Sequence, residues 1–203
     1  MITGPRYKKA RRLGAGLFEK TATEKFSARQ SSRAPAGSKG RRPASEFGKQ
    51  LLEKQKARFS YGIGERQFRK YVHESLAKKS THADADLFIT LESRLDNVVY
   101  RLRLAKTRQA ARQMVSHGHI TVNEKKVTIP SCQVCTGDSI GIRAGSKDKK
   151  LFLGVDELHK EYTVPSWLAF DLAARAGKVQ GLPKLVKSEL MFDVAAILEY
   201  YRR

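Results

Sequence analysis

The chain has 203 residues, 40% of them apolar, which suffices for one large domain or two small ones around a modest core. Forty Lys and Arg against twenty Asp and Glu give a net charge of +20 and a pI near 10.2. A chain that basic repels itself unless a polyanion neutralises it, so nucleic acid is the first partner to consider and an anionic membrane surface the second. No apolar run approaches the roughly 18 residues of a membrane span.

The charge is uneven. Residues 1–45 carry 12 basic and 2 acidic side chains, half of the net charge in under a quarter of the chain. Residues 1–44 therefore read as a basic extended arm. The stretch Ser31–Pro43 has no apolar period and is predicted to order only on a polyanion. The start has neither the apolar stretch of a secretory signal nor, with Gly4-Pro5, an amphipathic transit-peptide face.

From Ser45, a candidate N-cap, the pattern predicts a helix over 46–59 with Phe47, Leu51 and Leu52 on its inner side. Tyr61-Gly-Ile-Gly64 breaks it. A second helix over 65–79 should bury Phe68, Tyr71, Val72 and Leu76 and expose Arg66, Arg69 and Lys70. The aromatics Tyr61, Phe68 and Tyr71 read as core in preference to base-stacking platforms. Lys54, Lys56 and Arg58 form a basic face, either RNA-facing or simply solvated. Asp84 and Asp86 read as capping groups. A third helix over 87–102 is expected from Leu87, Leu91, Leu95, Val98 and Leu102, spaced by four and three.

Thr107 is a second candidate N-cap, for a helix over 108–117 stopped by Gly118. The period then switches to two. Residues 120–122 and 126–129 flank Asn123-Glu-Lys125 as a hairpin, and 139–143 add a strand. Trp167 and Phe170 suggest one more short packed strand, and 192–201 a closing helix.

The sharpest constellation lies at 94–117. Arg108 and Arg112 are four apart, with Gln113 beside them; Arg94 and Arg101 are seven apart on the preceding helix. Thr107 caps a helix whose N-terminus favours phosphate, and guanidinium forks bind phosphate bidentately. The bland alternative is a solvated face with ordinary surface arginines, which the overall charge disfavours.

Other chemistries find little support. Cys132-Gln-Val-Cys135 supplies two thiolates where structural zinc needs four ligands, so no metal is expected and the thiols read as small buried groups. Two cysteines give no disulfide framework. The five histidines form no metal or catalytic spacing; His117 and His119, flanking Gly118, read as structural or phosphate-facing. Gly62-Ile-Gly64 is half of a dinucleotide fingerprint and follows no strand. No cofactor is expected.

Leu91-Glu-Ser-Arg-Leu-Asp-Asn-Val-Val-Tyr-Arg-Leu102 and Thr107-Arg-Gln-Ala-Ala-Arg-Gln-Met-Val-Ser-His117-Gly-His-Ile-Thr-Val-Asn123 resemble the RNA-binding domain named after the fourth small-subunit ribosomal protein. Glu46–Lys56, Tyr61–Tyr71, Pro165-Ser-Trp-Leu168 and Leu198-Glu-Tyr-Tyr-Arg202 extend the resemblance to the bacterial-type ribosomal family itself. It implies an α+β fold: a basic arm, a helical domain over 45–90 joined by 158–203, and an inserted RNA-binding domain over 91–157 with a helix pair and a small antiparallel or mixed sheet. It implies a non-enzymatic, structural constituent of the small subunit, cytoplasmic in the ribosome. Such a protein binds small-subunit ribosomal RNA, nucleates assembly of the subunit body and contributes to decoding accuracy. Its implied neighbours are the fifth small-subunit protein and messenger RNA where it enters the ribosome, with no membrane and no homo-oligomer required.

The resemblance places Arg94, Arg101, Thr107, Arg108, Arg112, Gln113 and His117 at RNA-facing positions, with Lys54, Lys56, Arg66, Arg69 and Lys70 as further candidates. The loop Arg103-Leu-Ala-Lys106 lacks the glycine common there. Two other classes stay open: an RNA-modifying enzyme, disfavoured because the ~60 residues after Arg143 show no catalytic constellation, and a free accessory factor, which would not need the helical half.

Overall fold

The computed structural model describes residues 5–18, 21–32, 45–78, 80–159, 162–186 and 190–202. The fold is mixed α+β and divides into two units, one from residues 1–87 and 186–203, the other from 88–185.

In the first unit the described part of the arm is helical, which corrects the extended reading. Helix α1 (Arg6–Leu13) buries Ala10 and Leu13, three apart on one face, and turns Lys8, Arg11 and Arg12 outward. Helix α2 (Glu24–Ser32) follows, with Phe26 beside Tyr7. Phe18 and the Lys9 ammonium both lie on the Phe59 ring, so these residues have an apolar anchor that the unpatterned stretch Ser31–Pro43 obscured. Residues 33–44, the core of the expected disordered segment, lie outside the described residues.

Helix α3 (Glu46–Ser60) starts where expected, with the Ser45 hydroxyl accepting from the Gly48 N–H at 3.2 Å. Its buried stripe is not the predicted one. Gln50, Lys54 and Ala57 are buried, whereas Phe47 is exposed and Leu51 and Leu52 half-buried. The reason is the partner. Helix α9 (Val194–Arg202) packs there with polar groups, and Gln50 Nε2 donates to Glu199 Oε2 at 3.0 Å. Helix α4 (Glu65–Ala77) buries Phe68, Tyr71 and Val72 as predicted, with Ser75 in place of the half-buried Leu76.

The boundary between units falls within α5 (Ala83–Glu92). The single helix expected over 87–102 is two: α5, then α6 (Leu95–Arg101) after a break at Ser93-Arg94, where Arg94 is extended (φ −67, ψ 135). Residues 130–134 strap the break. Cys132 and Pro130 carbonyls accept from the Leu95 and Asp96 N–H groups at 2.8 and 3.1 Å, and Val134 N–H donates to Ser93 O at 2.9 Å. Leu87, Leu91, Leu95, Val98 and Leu102 are nonetheless all buried, so the stripe runs through the break.

Helix α7 (Arg108–Ser116) pairs with α6. Strands β1 (Ile120–Val122), β2 (Lys125–Lys126), β3 (Ser139–Ile142), β4 (Leu168–Asp171) and β5 (Ala176–Val179) form an antiparallel sheet in the order β2-β1-β3-β5-β4. Asn123 and Glu124 (φ 49 and 66) make the two-residue hairpin turn, one residue shorter than predicted. The segment 158–203 does not all join the helical unit: β5 pairs with β3 and β4 with β5, placing 168–179 in the sheet. The core of this unit gathers Leu95, Val98, Leu102, Ala111, Val115, Ile120, Ile140, Phe152, Trp167 and Val179. Leu102 presses so closely on Gly177 that a β-carbon there would collide with it. A short helix α8 (Val155–His159) precedes β4.

Candidate nucleic-acid interface

The second unit gathers arginines around two buried carboxylates. Glu92 ends α5 and is 1% exposed. Arg101, nine residues on, grips it with both prongs, Nε to Oε2 and Nη2 to Oε1, each at 2.8 Å. Asn97 Nδ2 donates to the same carboxylate at 2.9 Å, and its Oδ1 accepts from Arg108 Nε at 2.8 Å. Glu92 thus orients Arg101 directly and Arg108 through Asn97.

Asp96 does the same for a second pair. Arg94 binds it bidentately at 3.0 and 2.6 Å, and Arg112 Nη1 lies 3.6 Å from Oδ2. A buried carboxylate is costly unless paired and hydrogen-bonded, so these acids persist only with their arginines in place. In return each guanidinium is held in one orientation, which reduces the side-chain entropy lost when a ligand arrives.

The exposures separate two roles. Arg101 and Arg112 keep 28% and 36% of their side chains exposed, Arg108 is half-buried and Gln113 exposed. Arg94, expected to face RNA, is 1% exposed. Because the helix breaks at this residue, Arg94 is the N-cap residue of α6 rather than a member of a face shared with Arg101, and its fork is turned inward onto Asp96. It is a positioning residue.

Thr107 caps α7 as predicted, its hydroxyl accepting from the Ala110 N–H at 3.0 Å. The positive end of the helix dipole therefore lies in the same turn as Arg108 and next to Arg112. His117 is exposed at the opposite end.

The loop lacking a glycine shows how the fold accommodates the departure. Arg103 adopts φ 51, a conformation that favours glycine, and is held there by aromatic rings: its guanidinium lies 4.1 Å from the Tyr162 ring centre and 5.5 Å from that of Tyr100. Arg108 lies 4.5 Å from the same Tyr100 ring. Arg103, Glu92, Asp96 and Asn97 were not singled out from the sequence. The signals were present in an arginine at a glycine position and in acids inside an apolar stripe.

The candidates of the first unit form a separate set. Arg66, Arg69 and Lys70 are exposed on α4; Arg69 Nε donates to His73 Nε2 at 3.2 Å, and Lys70 lies 3.6 Å from Glu74. Lys56 pairs with Glu53 at 2.6 Å. Lys54 contradicts its expected place on a basic face. It is buried, 2.6 Å from Glu65, with its ammonium 4.7 Å from the Tyr200 ring centre. Burial raises the Glu65 carboxyl, but the hydrogen bonds from Lys54 and Tyr201 and the charges of Lys54 and Arg58 outweigh it, leaving its pKa below the ordinary value. Burial, with the Glu65 hydrogen bond and charge, pushes the Tyr201 phenol well up. Of the two thiols, Cys132 is half-buried as a small core group would be, whereas Cys135 is exposed.

Comparison with known proteins agrees with this division. A family model described as "S4 domain" matches residues 93–140, beginning at the break before the arginine cluster. Another, described as "Ribosomal protein S4/S9 N-terminal domain", matches residues 1–92. The chain is 42% identical to the small ribosomal subunit protein uS4 of Roseiflexus sp. (strain RS-1), covering 98% of each. It is 43% identical to that of Herpetosiphon aurantiacus, over 99% of this chain and 98% of the relative. For Lacticaseibacillus casei the identity is 41%, over 99% and 97%. With likeness of this order over nearly the whole length, the chain belongs to the uS4 family of small-subunit ribosomal proteins, which is not an enzyme family.

Proposed function

We propose that the chain is a structural constituent of the small ribosomal subunit that binds ribosomal RNA through Arg101, Arg108, Arg112 and Gln113 beside the capped N-terminus of α7. The observation that carries this reading is the inverted layout of the cluster: two acids buried, with Arg101, Arg108 and Arg112 partly exposed above them. Such a surface recognises the sugar-phosphate chain and its shape, because the base edges of duplex RNA are out of side-chain reach. Affinity comes chiefly from counterion release. Arg66, Arg69, Lys70 and Lys56 supply further phosphate contacts from the helical unit.

The family's wider role follows from this grip. By holding RNA helices early, the protein nucleates the subunit body and contributes to translational accuracy. Its neighbours there are the fifth small-subunit protein and incoming messenger RNA, in the cytoplasmic ribosome.

Filter binding of the full chain to small-subunit ribosomal RNA over a salt series tests the reading. Replacing Arg108 and Arg112 by Ala should weaken binding by about tenfold or more and flatten the slope of log K against log salt by about 2. Unchanged affinity with an unchanged melting profile would remove the site.

A further inference from the structure

A second basic cluster lies at the other end of α7, around His117, and the arginine set of the proposed function does not use it. Helix α7 ends in a turn whose N–H groups point inward. Those of His117, Gly118 and His119 donate to the carbonyls of Gln113, Val115 and Met114 at 2.9, 2.8 and 3.0 Å. The negative end of the dipole is thereby hydrogen-bonded, with the His117 ring exposed and the His119 ring half-buried beside it. Gly118 takes φ +69, which favours glycine, and the end of the Lys126 side chain lies against it. Lys126 therefore lies against the backbone between the two histidines.

Arg143, at the end of β3, joins from a third segment: its N–H donates to the His119 carbonyl at 2.9 Å, and its Nε is buried and has no partner among the described residues. From the loop after it, the buried Ser146 hydroxyl lies 3.0 Å from His119 Nδ1, and Lys149 follows in the same turn. Among the described residues Lys126, Arg143 and Lys149 form no ion pair. Like charges drawn together from four segments repel one another, and a bound anion relieves that repulsion.

We propose that His117, His119, Lys126, Arg143 and Lys149, around the Ser146 hydroxyl, form a second phosphate site that takes a backbone phosphodiester of the same RNA. The nine residues of α7 put it about 14 Å from the capped end of the helix at Thr107 and Arg108. One rigid helix thus measures a fixed distance between two phosphates, a shape-reading device that neither site supplies alone. The proposal rests on RNA being the ligand of this chain.

Protonation is coupled to occupancy. Burial, then the charges of Lys149, His117 and Arg143, hold the His119 pKa below its usual 6.5, so the ring is neutral near pH 7. The groups facing it are Lys149, Arg143, His117, the Ser146 hydroxyl and the uncharged Phe152 ring. A phosphate raises its proton affinity, so binding takes up a proton and tightens as pH falls toward the lowered value of the free ring.

The test uses the full chain and small-subunit ribosomal RNA. Replacing the exposed Lys126 and Lys149 by Ala should weaken binding by about tenfold and flatten the salt slope by about 2. Replacing the exposed Lys178 and Lys184, outside the cluster, should do markedly less. His119→Gln should blunt the pH dependence.

If the Arg108/Arg112 variant loses affinity while the Lys126/Lys149 variant does not, the second site is overturned and the first stands. The reverse result keeps this site and removes the arginine one. Equal loss from Lys178/Lys184 makes the effect diffuse charge and overturns the proposal. Inorganic phosphate is titrated in parallel, read by the His119 ring proton shifts. If it binds there while RNA affinity ignores Lys126 and Lys149, the site takes free anions and the proposal also fails.

Discussion

The two units of this protein pair cations with acids in opposite senses. In the helical unit the cation is inside: Lys54 keeps 7% of its side chain exposed and its partner Glu65 keeps 41%. In the other unit the acid is inside: Glu92 keeps 1% and its partner Arg101 keeps 28%. An ammonium buried among Tyr200, Tyr201 and Glu65 contributes to the fold and is lost to any ligand. A carboxylate buried beneath arginines turns their remaining N–H groups outward, fixed in direction. Counting basic residues cannot distinguish the two arrangements; asking which partner is buried can.

The largest expected effect is on the inverted cluster. Glu92→Ala leaves Arg101 and Asn97 without their shared acceptor and should lower stability by about 3–5 kcal/mol, read from urea unfolding. A loss below about 1 kcal/mol would mean that the carboxylate is dispensable and the arginines are held by something else.

Lys54→Ala should cost less, about 1–3 kcal/mol, because Glu65 can reach solvent once its partner is gone. The salt slope of RNA binding should stay as it was. A flattened slope would return Lys54 to the RNA-contacting set and break the contrast between the units.

The smallest effect is with pH. Glu65 titrates below its ordinary 4.5 in the folded chain, so the unfolded chain binds its proton first as pH falls. The stability it contributes is complete above pH 4.5 and is lost as pH drops through the lowered folded value. Melting curves should show this acid-side decline diminished in Glu65→Gln. An equal decline in the variant would assign it to other groups.

Much of this was legible in the sequence, and the rest failed for identifiable reasons. The apolar stripe from Leu87 to Leu102 was readable, and all five residues are buried. The break at Ser93-Arg94 was not, because spacings of four and three continue across it and the strap that stabilises it comes from residues 130–134. Arg101, Arg108 and Arg112 stood out as residue types, but whether an arginine turns in or out depends on acids that only the fold brings alongside. Arg94 was misplaced on that account.

The stripe Gln50, Lys54, Ala57 was invisible because polar groups bury only against a partner, and Glu199 is 149 residues away in sequence. Strand β5, Ala-Gly-Lys-Val, has too little alternation to announce itself, and with it the placement of residues 168–179 was missed. Helix α1 was hidden by its charge, since two buried residues are enough once Phe59 lies nearby.

The most direct measurement of the central claim is the RNA affinity of Glu92→Gln, at fixed moderate salt and with folding verified. The substitution removes a negative charge from the surface proposed to meet a polyanion, so electrostatics summed over the unit predicts tighter binding. If Glu92 acts by aiming Arg101 and, through Asn97, Arg108, binding weakens instead, by about tenfold. Equal or tighter binding would contradict the account.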